Sequence, residues 1–277
     1  FYGKGHPEEI LGKALGSRRS EVIISTKGGL DWGQFEGRTP VSDRPHYGMG
    51  GRRIEGAWRN STPEYLRAAV DASLRRLGTD VIDIYFIHWP DPGVPIEETA
   101  QAMEELRQVG KIRYLGVSNF SVEEMERWMK VAPLHVVQPG YHMFSRGIER
   151  DVLPFCREKG IAVTTYGPLA HGLLSGKFTP DTTFPPGDFR PGHPLFKGEA
   201  FARNLQIVER LKAVAQRYGR SVGQLAIAWV LSQPGVTSAI VGAKRPQQVE
   251  ENVGAADWSL GPEILEEVEA ILASAQS

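Results

Sequence analysis

Six apolar runs in this sequence end in residues that could do chemistry. Lys27 closes "EVIISTK" (21–27), and His88 stands near the end of "VIDIYFIHW" (81–89). Ser118 and Asn119 close "IRYLGVSN" (112–119), and Gln138 lies in "HVVQPGY" (135–141). Tyr166 lies in "IAVTTYGPL" (161–169), and Gly242 and Lys244 in "SAIVGAK" (238–244). None of these residues is a strong nucleophile with a base beside it, which argues against acyl transfer. Tyr2 and His88 are proton donors, and Lys27 is a cation. Ser118, Asn119 and Gln138 supply the hydroxyl and amide groups that match a primary carboxamide. Tyr166 offers an aromatic face for a flat ring. Nicotinamide is a flat ring bearing a carboxamide. The segment "GAKRPQQ" (242–248) adds a Gly turn, two cations and the start of a helix, a dock suited to phosphate.

Taken singly, each residue has a bland reading. Lys27 could be a surface cation, and His88 a hydrogen-bonded structural histidine. Ser118-Asn119 could cap a helix starting near Ser121, Gln138 could pair with backbone, and Tyr166 could simply pack. Their shared placement at one end of every strand favours a common site, because the C-terminal ends of parallel strands converge on one face.

The elements that must position them are legible from periodicity. Each run is rich in Ile and Val with little polar alternation, as in strands buried on both faces. Helix-like segments lie between them. "TPEYLRAAVDASLRRLG" (62–78) opens with Thr62 as N-cap and Pro63 at the first helical position, and closes with Gly78. Residues 96–110, 122–131, 149–160, 204–219 and 222–235 carry further helical periods. Alternation of strand and helix predicts parallel strands and an α/β fold. No linker divides the chain, so 1–277 reads as a single domain. Two stretches, 28–61 and 170–203, lack either period and are rich in Gly, Pro and aromatics. Trp32, Phe35, Tyr47 and Trp58 are poor material for disorder, so these stretches read as functional loops lining a pocket.

The 277 residues are 41% hydrophobic and 23% charged, with a formal net charge of −1. This is a globular composition, and it gives no electrostatic case for nucleic acid or an anionic membrane as partner. No apolar run approaches a membrane span. The single Cys156 excludes an internal disulfide and fits a reducing, cytoplasmic setting. Metal-ligand spacing is absent from the sequence.

Taken together, "YGKGHPEEILGKAL", "STKGG", "DIYFIHWPDP", "GVSNF", "VVQPGY", "YGPLAHGLLSGK" and "AIVGAKRPQQVEENVGA" resemble the aldo-keto reductases, in the order in which that family carries them. The resemblance implies a (β/α)8 barrel that reduces aldehydes or ketones to alcohols with NADPH, less often NADH. It implies an extended cofactor pose without a Rossmann motif, in keeping with the lack of a G-x-G-x-x-G after a first strand. By motif, Tyr2 corresponds to the catalytic tyrosine, Lys27 to the lysine and His88 to the histidine. Ser118, Asn119 and Gln138 match the carboxamide binders, and Tyr166 the stacking aromatic. Gly167, Leu169, Gly172 and Leu173 fall in the pyrophosphate loop. Gly242, Lys244, Arg245, Gln248, Glu251 and Asn252 lie in the segment that grips the adenosine end. Lys244 and Arg245 can meet a 2′-phosphate, which favours NADPH.

At the front the pattern departs from the family's. The family aspartate precedes the tyrosine at the end of the second strand, while this sequence opens at Phe1 and shows six strands. The expectation is a barrel whose first two strands and aspartate are not in this chain, with Lys27 left short of its carboxylate. The expected mechanism has Tyr2 as general acid, its pKa lowered by Lys27, and His88 orienting the carbonyl oxygen. Two rivals stand beside it. One is a Schiff-base barrel with Lys27 as nucleophile, which leaves Ser118, Asn119, Gln138 and Tyr166 without roles. The other is a non-catalytic NADPH-binding regulatory subunit or an inactive fragment of the same fold. The aromatics of the two loops suggest an apolar carbonyl substrate.

Overall fold

The computed structural model describes residues 2–31 and 58–274, with only the main chain for residues 2 and 3. After a 3-10 turn at Tyr2–Gly5, helix α1 (His6–Leu15) leads to β1 (Ser25–Gly28). A short antiparallel pair, β2 (Leu30–Asp31) and β3 (Trp58–Arg59), brackets the residues outside the description. There follow α2 (Pro63–Leu77), β4 (Ile82–Ile87), α3 (Ile96–Gln108), β5 (Ile112–Ser118), α4 (Val122–Met129) and β6 (Val136–Gln138). The chain continues through α5 (Val152–Lys159), β7 (Ala162–Tyr166), α6 (Gly198–Gln216), α7 (Val222–Ser232), β8 (Ser238–Ile240), α8 (Pro246–Val253) and α9 (Pro262–Ala273).

The chain divides into two compact units. One contains the described residues up to Gln138 together with Phe155–Ala162; the other contains Pro139–Pro154 and the residues from Val163 onward. In the first unit β1, β4, β5 and β6 pair in parallel in that order. Helices α2 and α3 bury one face each, through Leu66, Val70 and Leu77 and through Ala100, Met103 and Leu106. In α2 the sequence signals hold in detail. The Thr62 hydroxyl accepts from the Tyr65 N–H, and Gly78 ends the helix at φ 64°. In the second unit β7 pairs in parallel with β8, and α7 is apolar almost all round, with Leu225, Ala226, Trp229 and Val230 buried.

A strand becomes a parallel-sheet strand only where its backbone donors and acceptors find partners. That sets the observed ends. The run read at 21–27 is paired only from Ser25, because the Ile24 N–H goes to the Asp83 carboxylate (2.9 Å) and Ile23 is 78% exposed. Asp83 is itself held by Arg19 (2.8 Å) and Arg113 (2.5 Å). Burial pushes its pKa up, but the Ile24 N–H and the two guanidinium groups outweigh that and hold it below the usual carboxylate range. Strand β6 stops at Gln138 because Pro139 has no N–H to give. Strand β7 stops at Tyr166 because Gly167 turns the chain at φ 74°.

Candidate active site

Register places the first cluster. Lys27, Phe86, Gly116 and Val136 lie at one level of the parallel ladder, since Lys27 pairs with Phe86, Phe86 with Gly116 and Gly116 with Val136. Two residues further along, His88, Ser118 and Gln138 occupy the next level on the same face, because side chains repeat every second residue. The Lys27 ammonium stands 6.0 Å from the centroid of the Phe86 ring. Gly116 leaves room for that ring, since a Cβ there would fall 2.4 Å from it. Burial lowers the Lys27 pKa to about 8, so the ammonium remains the dominant form at neutral pH.

The main chain of His88 is gripped at both ends. Its N–H donates to Gly28 O (2.9 Å), and its carbonyl accepts from Asn119 Nδ2 (3.0 Å). Asn119 can reach it because its backbone takes φ 64°, a left-handed conformation that Asn tolerates. The same Nδ2 donates to Ser118 Oγ (3.1 Å), which in turn donates to Gln138 O (2.7 Å). These bonds fix polarity. With both Nδ2 hydrogens placed, Asn119 meets a ligand N–H through Oδ1, and Ser118, its own hydrogen committed, meets it as an acceptor. Ser118, Gln138 and His88 are buried. Four of the sequence candidates (Lys27, His88, Ser118 and Gln138) therefore share one sheet face, and Asn119, just past the end of β5, bonds to the His88 carbonyl and to Ser118 Oγ. Tyr2 falls in the 3-10 turn at Tyr2–Gly5, but its side chain lies outside the described residues, as do residues 32–57 of the first loop.

The neighbourhood of His88 also contains residues to which the sequence reading gave no role. Asp91 accepts from the Ser61 N–H and the Gly93 N–H (both 2.9 Å), closing the turn after β4 and tying it to the β3 exit. Arg59 donates to Pro90 O (2.9 Å) and lies 5.4 Å from the centroid of the Trp89 ring. The Asp-Pro-Gly sequence at 91–93 is a turn signal in which Asp bonds the backbone two residues on, and it could have marked Asp91.

The second unit carries the other candidates. Tyr166 is anchored through its backbone to Pro139 O (3.0 Å) and to the Tyr141 N–H (3.1 Å). Gly140 lies under its ring, where a Cβ would come within 3.0 Å. From Gly167 the chain turns through residues of positive φ, namely Gly167, Ala170, His171 and Gly172, and Leu173 is fully buried. Leu169 leads into that turn, and its carbonyl accepts from the Gly172 N–H (2.9 Å). Beyond β8, Gly242, Lys244 and Arg245 precede α8, and the Gln248 side chain accepts from the Lys244 N–H (2.7 Å). Glu251 and Asn252 lie in the last turns of that helix.

Residues 170–203 form packed structure. Phe178, Phe184, Phe196 and Phe201 contact one another edge-on or tilted, and Arg190, paired with Asp188, covers Phe178 and Phe184. Beside them His142, His171 and His193 stack edge-on, with the His171 and His193 centroids 4.6 Å apart. Burial, then the neighbouring imidazoles, lowers His142 to about 4; burial, His193 and Arg190 lower His171 to about 4. Folded-state values below the ordinary 6.5 mean that the unfolded chain binds the protons first. Stability is therefore complete above about pH 6.5 and falls as pH drops towards 4. Urea titrations at pH 7.0 and 5.0 should show lower stability at pH 5.0, and a His142→Asn variant should lose less; equal losses would contradict this assignment.

Comparisons with known proteins give the family. Residues 1–273 match the Aldo/keto reductase family. The chain is 41% identical over 274 residues to the aldo-keto reductase YhdN of Bacillus subtilis, covering 98% of this chain and 77% of that protein. It is 35% identical to an NADH-specific methylglyoxal reductase of Escherichia coli, covering 94% and 77%, and 34% identical to the aldo-keto reductase yakc [NADP(+)] of Schizosaccharomyces pombe, covering 97% and 75%. The solved glycerol dehydrogenase AKR11B4 of Gluconobacter oxydans superposes with a TM-score of 0.88 at 39% identity, covering 99% of this chain and 79% of that one. The chain therefore belongs to the aldo/keto reductase family, with its (β/α)8-type α/β fold and its nicotinamide-dependent oxidoreductase chemistry on carbonyls.

Proposed function

We propose that the protein reduces an aldehyde or ketone to the alcohol with NADPH, with Tyr2 as proton donor assisted by Lys27 and His88. The observation that carries this reading is the placement of Lys27, His88, Ser118 and Gln138 on one sheet face, with Asn119 bonded beside them. The set suits a nicotinamide, with Asn119 Oδ1 and Ser118 Oγ as acceptors for the carboxamide N–H groups. When bound, the cofactor supplies the hydride.

The chain's own groups do the rest. His88, its main chain fixed from both sides, holds the carbonyl oxygen. The Lys27 ammonium favours a phenolate at Tyr2 and so makes the phenol a better acid than its ordinary value of about 10 allows. Tyr2 then gives its proton to the developing alkoxide. In the second unit, taken by itself, Tyr166 is by the family's motifs a stacking aromatic, and Gly167, Leu169, Gly172 and Leu173 belong to a pyrophosphate loop, here a turn of positive φ. Lys244, Arg245, Gln248, Glu251 and Asn252 serve the adenosine end. Relatives of both cofactor types exist; the two exposed cations ahead of α8 are what favour NADPH here.

The test is a titration of NADPH and of NADH by tryptophan fluorescence, run beside turnover at 340 nm with a panel of aldehydes. Tighter NADPH binding with turnover supports the reading. Binding without turnover favours the regulatory alternative, and no binding contradicts both. An Asn119→Gly variant tests the carboxamide site separately. It keeps the left-handed backbone but removes the bonds to His88 O and Ser118 Oγ. The cofactor Kd should weaken about tenfold, the equivalent of one net hydrogen bond; an unchanged Kd would contradict the assignment.

A further inference from the structure

Lys27 and the turn carrying Tyr2 belong to different elements, β1 and the segment running into α1, and one side chain bonds to both supports. Glu8, in the first turn of α1, accepts from Thr26 Oγ1 (2.5 Å) and from Arg76 Nε (2.7 Å). Thr26 precedes Lys27. Strand alternation sends its side chain to the face opposite the ammonium, towards the helices. Arg76 comes from the last turn of α2 and also donates to Ser73 Oγ (3.3 Å). Gly5 turns at φ 89° flush against the Arg76 side chain, where a Cβ would lie 2.5 Å from Nε. Glu8 and Gly5 thus fix the start of α1, and the turn Tyr2–Gly5 runs straight into it.

The other neighbour of Lys27 is fixed on the same side. A Cβ on Gly28 would lie 2.4 Å from the Tyr85 hydroxyl, so that phenol packs against the strand immediately after Lys27. Tyr85 is buried, and its pKa is raised by desolvation and then by the Glu8 charge. Its phenol is therefore a neutral spacer. Glu8 is partly buried, its side chain 15% exposed, and such a carboxylate bonded to both a hydroxyl and a guanidinium is held more tightly than a surface pair.

We propose that Glu8 is a positioning residue for proton transfer, setting the Tyr2 turn against the Lys27 strand through Thr26 and Arg76. This rests on the reading of Tyr2 as proton donor. A residue acting in this way affects the chemical step and not the binding of cofactor or carbonyl.

The experiment is a double-mutant cycle of Glu8→Gln and Tyr2→Phe on the full protein, with kcat, KM and the NADPH Kd measured for each form. Gln keeps one acceptor for Thr26 but loses the charged contact with Arg76. Glu8→Gln should lower kcat about tenfold with KM and Kd unchanged, Glu8→Asp should recover part of it, and in the Tyr2→Phe background Glu8→Gln should have no further effect. An equal loss in both backgrounds, or a loss confined to KM or Kd, would overturn the proposal while leaving Tyr2 as donor. Full turnover by Tyr2→Phe itself would instead remove the donor reading and the proposal with it. Thr26→Val, which breaks the other contact, should reproduce the kcat loss if Glu8→Gln fails to fold; a Thr26→Val enzyme with unchanged kcat would overturn it.

Discussion

Tyr2→Phe should lower kcat/KM for aldehyde reduction by about 10²–10⁴-fold, the range that a positioned general acid contributes, and should leave NADPH affinity unchanged. The substitution removes one oxygen from a side chain whose assigned role is to protonate an alkoxide. Nothing in that role touches the carboxamide acceptors on Ser118 and Asn119 or the turn at 167–172. The loss should therefore fall on kcat, with KM held. A paired measurement of initial rates and fluorescence titration separates the two, and a variant with undiminished turnover would show that another group delivers the proton.

The second large effect is at Lys27. Lys27→Met removes the cation proposed to assist the Tyr2 phenol, and turnover should fall about a hundredfold or more. Stability should move the other way. Burial lowers the Lys27 pKa from 10.5 to about 8, so its charge opposes folding at neutral pH by roughly 2–3 kcal/mol. The sign follows from proton counts. Below about pH 8 both states are protonated and the full penalty applies; between about 8 and 10.5 only the unfolded chain keeps the proton, so the penalty shrinks and is gone near 10.5. Lys27→Met should therefore be the more stable protein at pH 7 by urea unfolding, with its advantage fading above pH 8. A variant that is both inactive and less stable at every pH would contradict this account of Lys27.

The site was legible in the sequence where chemistry and register coincide. Lys27, His88, Ser118 and Gln138 each end a buried run, and parallel pairing then brings those ends to one face; both facts can be read from apolar periodicity. What the sequence did not disclose was the role of Asn119 in holding the His88 carbonyl, because that depends on a left-handed backbone at a residue that reads equally well as a helix cap. Glu8 escaped for a related reason: its partners, Thr26 and Arg76, lie far along the chain, and periodicity carries no information about such pairs. The turn signal at 91–93 marks Asp91 and its bond to the Gly93 N–H but not its bond to the Ser61 N–H.

The fold was legible to a similar depth. All six strand runs and the helices at 62–78, 96–110, 122–131 and 222–235 correspond to observed elements, with ends moved by particular donors such as the Ile24 N–H and the missing N–H of Pro139. Helix α6 begins at Gly198, before the start read at 204, because Phe201 packs on Phe196 and draws the first turn out of the loop. Helix α1 has no counterpart among the helical periods read from residue 62 onward. Its signals were present, with Pro7 in the first turn and Glu8 and Glu9 beside it, but three glycines in the first dozen residues masked them. Loop 170–203 was expected to be a binding loop. Within it Phe178, Phe184 and Phe196 pack on one another, with Arg190 over Phe178 and Phe184, contacts that periodicity does not disclose.

The most direct test of the central claim follows the hydride. The protein is given NADPH carrying deuterium at both C4 positions and an aldehyde that it turns over, and the alcohol is examined by NMR. Hydride transfer to the carbonyl carbon predicts one deuterium on the carbinol carbon of every product molecule. Alcohol without that label, or a labelled cofactor consumed with no labelled alcohol, would contradict the account.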